Sequence, residues 1–243
     1  MTLELERGDD ATVAQSQRSR SEHTAPLGPK VLRLPGVYRP QEDTMLLARE
    51  YLRSGLAGRG SVLDVCCGTG YLSLVAAWSG APTITAVDTS ARAVWSARAN
   101  ARLFKAPVNV VHSDFAALDP TRTFDVVLAN PPYVPWFGAD GDGPCAKWDA
   151  GADGRAIIDP LCASASRLLA PEATLLMVHS AVSDPDRTVA MLTAAGLTAA
   201  VVAREHIPFG PVMRSRAAAL REAGYLLPEQ TLEEIVVVRA DKR

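Results

Sequence analysis

The chain lacks the features that mark membrane, exported and zinc-binding proteins. No apolar run approaches the ~18 residues needed to span a bilayer. Met1–Asp10 is acidic and has no apolar segment of the secretory kind. A membrane or exported protein is therefore not expected, and a cytoplasmic location is. Cysteine is scarce, at 4 in 243 residues, and two of the four, Cys66 and Cys67, are adjacent. That pattern suits neither a disulfide framework nor paired C-x-x-C zinc ligands, so a reduced, metal-free protein is expected. An excess of positive charge is missing too: 25 Lys+Arg against 27 Asp+Glu leave a formal charge of −2. A generally basic nucleic-acid binder is disfavoured, although local basic patches remain open.

What is present is enough for a substantial core, with 48% hydrophobic residues. The length suits one large α/β domain with decoration, or two small domains. Residues 1–30 are polar and turn-rich, which predicts a disordered tail. Beyond Val31, the segment Leu34–Thr44 leads into a helix carrying Met45, Leu46, Leu47, Tyr51 and Leu52 and ending at Gly55. Strand-like runs follow at 61–65, 83–87, 108–112, 124–129, 174–179, 197–203 and 234–239. Helical segments at 70–79, 90–104, 154–169 and 185–195 alternate with them. This rhythm predicts a mostly parallel sheet. Two stretches break it. Pro135–Gly154 is rich in Gly, Asp and Trp and reads as a substrate lid or a spacer. Arg204–Gln230 carries a short helix with Arg214, Arg216 and Arg221; it is either a solvated excursion or a contact surface for an acidic or nucleic-acid partner.

The richest chemistry lies at Asn130-Pro131-Pro132-Tyr133, directly after the run Phe124–Ala129. The two prolines fix φ and remove two backbone donors, leaving free carbonyls. A planar NH2 group could be held by Asn130 Oδ1 and the Pro131 carbonyl, with Tyr133 stacked on its face. Alone, the motif reads equally well as a proline-rich turn. Upstream, the first strand ends in Asp64-Val-Cys-Cys-Gly-Thr-Gly70 and opens onto a helix. Gly68 and Gly70 there allow close backbone approach to a ligand. The pattern is not the G-x-G-x-x-G of dinucleotide-binding folds. The second strand ends at Asp88, placed to accept ribose hydroxyls, and the third is followed by Asp114 and Phe115, able to take an amine and cover a base. Each acid has an ordinary role as a strand-end or capping residue, but three at successive carboxyl ends of a parallel sheet point to a ligand.

The order Asp64…Gly68-Thr-Gly70, Asp88, Asp114, Asn130-Pro-Pro-Tyr133 resembles class I S-adenosylmethionine-dependent methyltransferases of the N-methylating kind. With Val37-Tyr-Arg-Pro-Gln-Glu-Asp-Thr44 ahead of it, the chain resembles the HemK family of protein-glutamine methyltransferases, in the short branch without a helical N-terminal domain. The resemblance covers roughly 31–203, and Trp148–Gly154 fits the family's W-x-x-G-x-x-G texture. It implies a Rossmann-like, seven-stranded, mostly parallel α/β sheet with helices on both faces. The domain would occupy 31–243, with an insertion at about 204–230. It implies S-adenosyl-L-methionine as cofactor and no metal. Thr44 would touch the methionine end, Asp64 would lie near the amino group, and Cys66, Gly68 and Gly70 would form the turn. Asp88 would hold the ribose, Asp114 and Phe115 would frame the adenine, and Asn130 would meet both cofactor and target nitrogen. The family usually has Gly where Cys66 stands, so this turn must accept a Cβ. Cys66 and Cys67 read as buried and inert.

The implied reaction is in-line displacement at a sulfonium methyl, in which the enzyme contributes mainly orientation. Asn130 and Pro131 would aim the lone pair of an amide, with Tyr133 on its face, and no histidine is required; His112 and His179 read as structural. The favoured acceptor is a glutamine amide of a peptide-chain release factor, with a helper subunit as an open option because the eukaryotic and archaeal relatives require one. The same corner would accept an adenine or guanine amine of RNA or DNA, or a small metabolite. A non-catalytic cofactor-binding scaffold is disfavoured, because both cofactor and acceptor motifs are intact.

Overall fold

The computed structural model describes residues 30–138 and 150–243. The tail expected over 1–30 therefore lies almost wholly outside the described residues, as do Trp148 and the middle of the loop at 135–154. The elements run α1 (Glu42–Arg53), β1 (Ser61–Val65), α2 (Tyr71–Trp78), β2 (Thr83–Asp88), α3 (Ala91–Leu103), β3 (Val108–His112), β4 (Phe124–Ala129), α4 (Ile158–Leu168), β5 (Leu169–Ser180), α5 (Pro185–Ala194), β6 (Thr198–Pro208), α6 (Pro211–Glu222) and β7 (Leu232–Asp241).

Seven strands form one sheet in the order β3-β2-β1-β4-β5-β7-β6. β1 to β5 are parallel, and β7 runs antiparallel between β5 and β6. Period-2 alternation sends neighbouring side chains to opposite faces. Val62, Val126, Leu128, Leu176 and Val178 pack against Leu46, Leu47 and Tyr51 of α1 and against Leu72 and Val75 of α2. Leu63, Val65, Val127, Leu175 and Met177 meet Ile158, Leu161 and Leu168 of α4 on the other face. Helices thus cover both faces, which is why the central strands are apolar on both faces at most positions. Each fully buried Leu or Ile contributes roughly 1.5–3 kcal/mol.

The topology also locates the site. Val65 lies level with Val87 on one side and Ala129 on the other, so β1, β2 and β4 end together. The strand order reverses between β1 and β4, opening a crevice at the carboxyl ends where open α/β sheets bind ligands. Because β7 is antiparallel, its beginning arrives at this same end, with Ile235 opposite Ser180.

The antiparallel half departs most from the sequence reading. β6 runs to Pro208 rather than ending at 203, and β7 starts at Leu232. Polar Arg204, Glu205 and His206 continue the strand because pairing with Val236, Ile235 and Glu234 satisfies their backbone groups whatever their side chains are. Residues 211–222 of the same stretch form α6. Among the described residues no helix is long and apolar enough to cross a membrane.

Candidate functional site

The turn after β1 is built around one carboxylate. Asp88, the last residue of β2, accepts from the Gly68 N–H at 2.9 Å and from the Ser90 N–H at 2.8 Å. It pins the glycine turn and the entry to α3 together. Burial raises its carboxyl above the usual range, partly offset by those two N–H groups. Cys66 sits in the left-handed region at φ 58°, which costs a side-chain-bearing residue ~1–2 kcal/mol. The expected Cβ is thus accommodated by strain. Burial pushes both the Cys66 and the Cys67 thiol up, so neither is a thiolate. Asp64 lies wholly buried behind the turn, with Oδ2 accepting from the Ser73 N–H and hydroxyl and Oδ1 without a partner. Burial lifts its carboxyl to about 7.

Asn130 leaves the tip of β4 and meets the start of α1. Its Nδ2 donates to Asp43 Oδ2 and to Thr44 Oγ1, each at 3.1 Å. Asp43 is 2% exposed. Its Oδ2 also accepts from the Tyr38 hydroxyl at 2.9 Å and the Tyr133 hydroxyl at 3.1 Å, while Oδ1 accepts from the Thr44 N–H at 2.6 Å and its hydroxyl at 3.2 Å. An ionised carboxylate only accepts. Asp43 therefore dictates that Asn130 turns its NH2 inward and keeps Oδ1 for something else. Burial, with the charges of Asp43 and Glu233 behind it, raises the Tyr133 phenol well above its ordinary value, so it remains a donor.

The segment after this corner is clamped. Gly154 (φ 76°) packs so close that an added Cβ would fall 2.3 Å from the Tyr133 carbonyl oxygen, so only glycine fits. The Ser183 hydroxyl donates to that same carbonyl. From α6, buried Arg216 donates to the Val134 and Pro135 carbonyls and lies 4.8 Å over the Trp136 ring. Met213, Ala217 and Leu220 of α6 pack with Val134 and Phe209. The excursion between the last two strands is thereby joined to the Asn-Pro-Pro-Tyr corner. Of its basic residues, Arg214 is exposed, but Arg216 is turned inward and Arg221 donates to the Gln230 carbonyl at 2.9 Å.

These parts enclose a cavity of about 500 Å³, within the ~300–1,000 Å³ range of small-molecule sites. Its wall brings together Thr44, Cys66, Gly68, Asp88, Asn130, Pro131 and Tyr133. Four others sit apart from it. Asp64 is buried behind the turn; Gly70 begins α2; Asp114 is exposed and caps a short turn through the Ala116 N–H; Phe115 is in the core. The wall also carries Glu42, Asp43 and Glu233, with no Lys or Arg among the described residues. Nor do any three His, Cys, Asp or Glu among the described residues stand together to hold a metal.

Residues 30–140 match the family model for the methyltransferase small domain. The chain is 30% identical over 181 residues to a candidate protein N5-glutamine methyltransferase of Methanocaldococcus jannaschii, covering 74% of this chain and 90% of that protein. It is 32% identical over 213 residues to a release factor glutamine methyltransferase of Mycolicibacterium smegmatis, covering 82% of this chain and 74% of that one. The chain belongs to the release-factor glutamine methyltransferase (HemK) family. Among solved structures, the Mtq2–Trm112 complex of E. cuniculi, responsible for methylation of the eRF1 translation termination factor, shares the fold. Its TM-score is 0.60 at 23% identity, over 86% of this chain and 99% of that one.

Within this HemK-family methyltransferase, sequence reasoning stopped short of Asp43, Tyr38, Glu233 and Arg216. Asp43 and Tyr38 stand in the stretch Val37–Thr44 that carried the resemblance. A buried acid in the first turn of an amphipathic helix was the available signal. Glu233 had none, because only the antiparallel pairing brings it to the crevice. The histidines serve the frame: His112 Nε2 lies 2.8 Å from the Thr89 carbonyl, and buried His179 Nδ1 lies 2.9 Å from that of Ser180. Burial pulls His179 down to about 4, so it carries no charge at neutral pH.

Proposed function

We propose that this chain transfers the methyl group of S-adenosyl-L-methionine to the side-chain amide nitrogen of a glutamine in a peptide-chain release factor. The observation that carries the reading is the fixed orientation of Asn130. With Nδ2 committed to Asp43 and Thr44, Oδ1 is kept for an incoming N–H. The Pro131 carbonyl is the second acceptor, and the half-buried Tyr133 ring is tied by its hydroxyl to Asp43. Two N–H bonds to these acceptors raise electron density on an amide nitrogen that is otherwise a poor nucleophile.

The residues of the cavity suit the cofactor. A Cβ added to Gly68 would meet no atom within 4 Å, so space lies against the turn. The Gly68 N–H is already given to Asp88, and no cation among the described residues lines the wall, which disfavours a phosphate-bearing ligand and favours a cationic one. S-adenosylmethionine supplies an electrophilic methyl on a sulfonium. Asp88 keeps lone pairs for ribose hydroxyls, and Thr44 faces the methionine end. The backbone at Cys66 and Gly68 lines the turn, with Gly70 leading it into α2. Asp64 would lie near the amino group, behind the turn. Phe115, in the core cluster against which Cys66 packs, and Asp114 lie outside the cavity wall, and their proposed place is on the adenine side.

A cytoplasmic protein acceptor fits this reading, and a helper subunit analogous to that of the Mtq2–Trm112 complex is a partner to test. Incubation with labelled cofactor and either a release factor or total RNA decides the acceptor. Label is expected on a release-factor glutamine; label on RNA alone would overturn the reading. Asn130→Ala is expected to abolish transfer while cofactor affinity, measured by calorimetry, changes by less than about tenfold. Retained transfer would sink the corner chemistry.

A further inference from the structure

Glu233 is the acid in this cavity whose position no step above explains. It is the second residue of β7, opposite Ile207 of β6, and both residues line the cavity together with Val212 and Met213 of α6. Its neighbours in charge are Asp43, Tyr38 and Tyr133, at the acceptor corner rather than the glycine turn. It is 4% exposed, and Oε1 is buried with no hydrogen-bond partner. A desolvated carboxylate oxygen left unpaired is costly, and such groups call for an explanation.

The other acids of the wall are committed elsewhere. Asp43 already accepts five hydrogen bonds. Asp88 holds the Gly68 and Ser90 N–H groups on the cofactor side. Glu42 is exposed at the rim.

We infer that Glu233 is a specificity-determining residue whose Oε1 accepts a hydrogen bond from a donor on the acceptor segment beside the methylated nitrogen. Since no cation lines the wall among the described residues, the incoming segment supplies that donor itself, as a backbone N–H or a Lys or Arg side chain. The inference rests on the glutamine reading only for the identity of the acceptor.

Burial raises the Glu233 carboxyl to about 7, with the Ser180 hydroxyl lowering it and the Asp43 charge raising it. The groups facing it are Asp43 from α1, Tyr38 ahead of α1, Tyr133 after β4 and Ser180 of β5, and the two phenols stay protonated because burial raises both. The carboxylate accepts best when ionised, so KM for the acceptor should be low above about pH 7 and rise below it.

The test uses the full chain with a purified release factor as acceptor, comparing wild type, Glu233→Gln and Glu233→Asp. Glu233→Gln is expected to raise KM for the release factor by about 10- to 100-fold. Cofactor affinity by calorimetry and kcat should stay within about threefold of wild type, and the rise in KM on acidification should disappear. Glu233→Asp should recover part of the affinity. An unchanged KM in a variant that binds cofactor normally would overturn the inference, and so would a loss confined to cofactor affinity. If the wild-type enzyme labels no release factor, the glutamine reading has failed separately. The same KM comparison on the acceptor that does take label then decides the role of Glu233.

Discussion

Asp43→Asn is the change that separates an orienting network from an ordinary buried hydrogen bond. The aspartate takes three donors on Oδ2 (Tyr38, Asn130 and Tyr133) and two on Oδ1, both from Thr44. Asparagine offers one oxygen and one NH2 in the same volume. If its oxygen replaces Oδ2, the NH2 faces the Thr44 N–H, which stands 2.6 Å from Oδ1 in the wild type. If its oxygen replaces Oδ1, the NH2 faces Asn130 Nδ2. The tyrosine hydroxyls can rotate to accept, but the two N–H groups cannot. Either way one buried donor is orphaned, at ~1–3 kcal/mol, and the charge-assisted bonds weaken. A destabilisation of about 2–5 kcal/mol is expected by urea titration.

The effect on catalysis is separable from that loss. With its anchor uncharged, Asn130 no longer has one preferred flip, and misplacement by ~1 Å costs on the order of 10²-fold in rate. Single-turnover transfer is measured at a temperature where the variant is folded. The rate constant should fall about 10²-fold, or ~2.7 kcal/mol of barrier. A folded variant with a wild-type rate constant would refute the idea that Asp43 aims Asn130.

Two further outcomes follow from the other half of the site. Burial lifts Asp64 from the usual 3.8 to about 7, so the native state holds a proton that the unfolded chain gives up between those values. The associated stability is complete below about pH 4 and is lost as pH rises to about 7, by up to ~4 kcal/mol. Asp64→Asn should therefore flatten the decline in unfolding free energy between pH 4 and 7, and an unaltered slope in urea titrations at those pH values would contradict the assignment. At Cys66, φ of 58° makes a β-branched side chain far worse than none. Cys66→Val should cost more than ~2 kcal/mol and Cys66→Gly should lie within ~1 kcal/mol of wild type by thermal unfolding; equal losses would mean that packing, not backbone strain, governs the turn.

The parallel half of the fold was legible because local and global signals agree there. The runs at 61–65, 108–112 and 124–129 are strands over those same residues, since β-branched and apolar residues dominate each run and, in β1 and β4, are buried on both faces. The antiparallel half was less so. β6 alternates exposed and half-buried residues at the sheet edge, and its polar end pairs with β7 without an apolar run to announce it. The same distinction holds at the site. Asn130, Asp88 and Gly68 follow strand ends that can be counted along the chain. Glu233 and Arg216 reach the cavity region from more than 80 residues beyond Asn130, through pairing and helix docking that no local pattern encodes. Arg216 in particular read as one of three surface cations, and it is instead a buried clamp.

That inward turn bears on which nitrogen the corner serves. Binding a nucleic acid needs cations facing the phosphates, yet α6 spends Arg216 on the Val134 and Pro135 carbonyls and Arg221 on Gln230. Only Arg214 of the three remains exposed, and the wall beneath carries Glu42, Asp43, Asp88 and Glu233. A phosphate-bearing strand would approach carboxylates; a neutral amide on a protein segment would not be repelled. Under the proposed function, the acids around the corner other than Glu233 favour placement over proton transfer. Five donors hold Asp43, two backbone N–H groups hold Asp88, and burial keeps His179 uncharged. On the proposed reading, what remains to act on the acceptor is an amide oxygen and an aromatic face, both tied to Asp43, together with the Pro131 carbonyl.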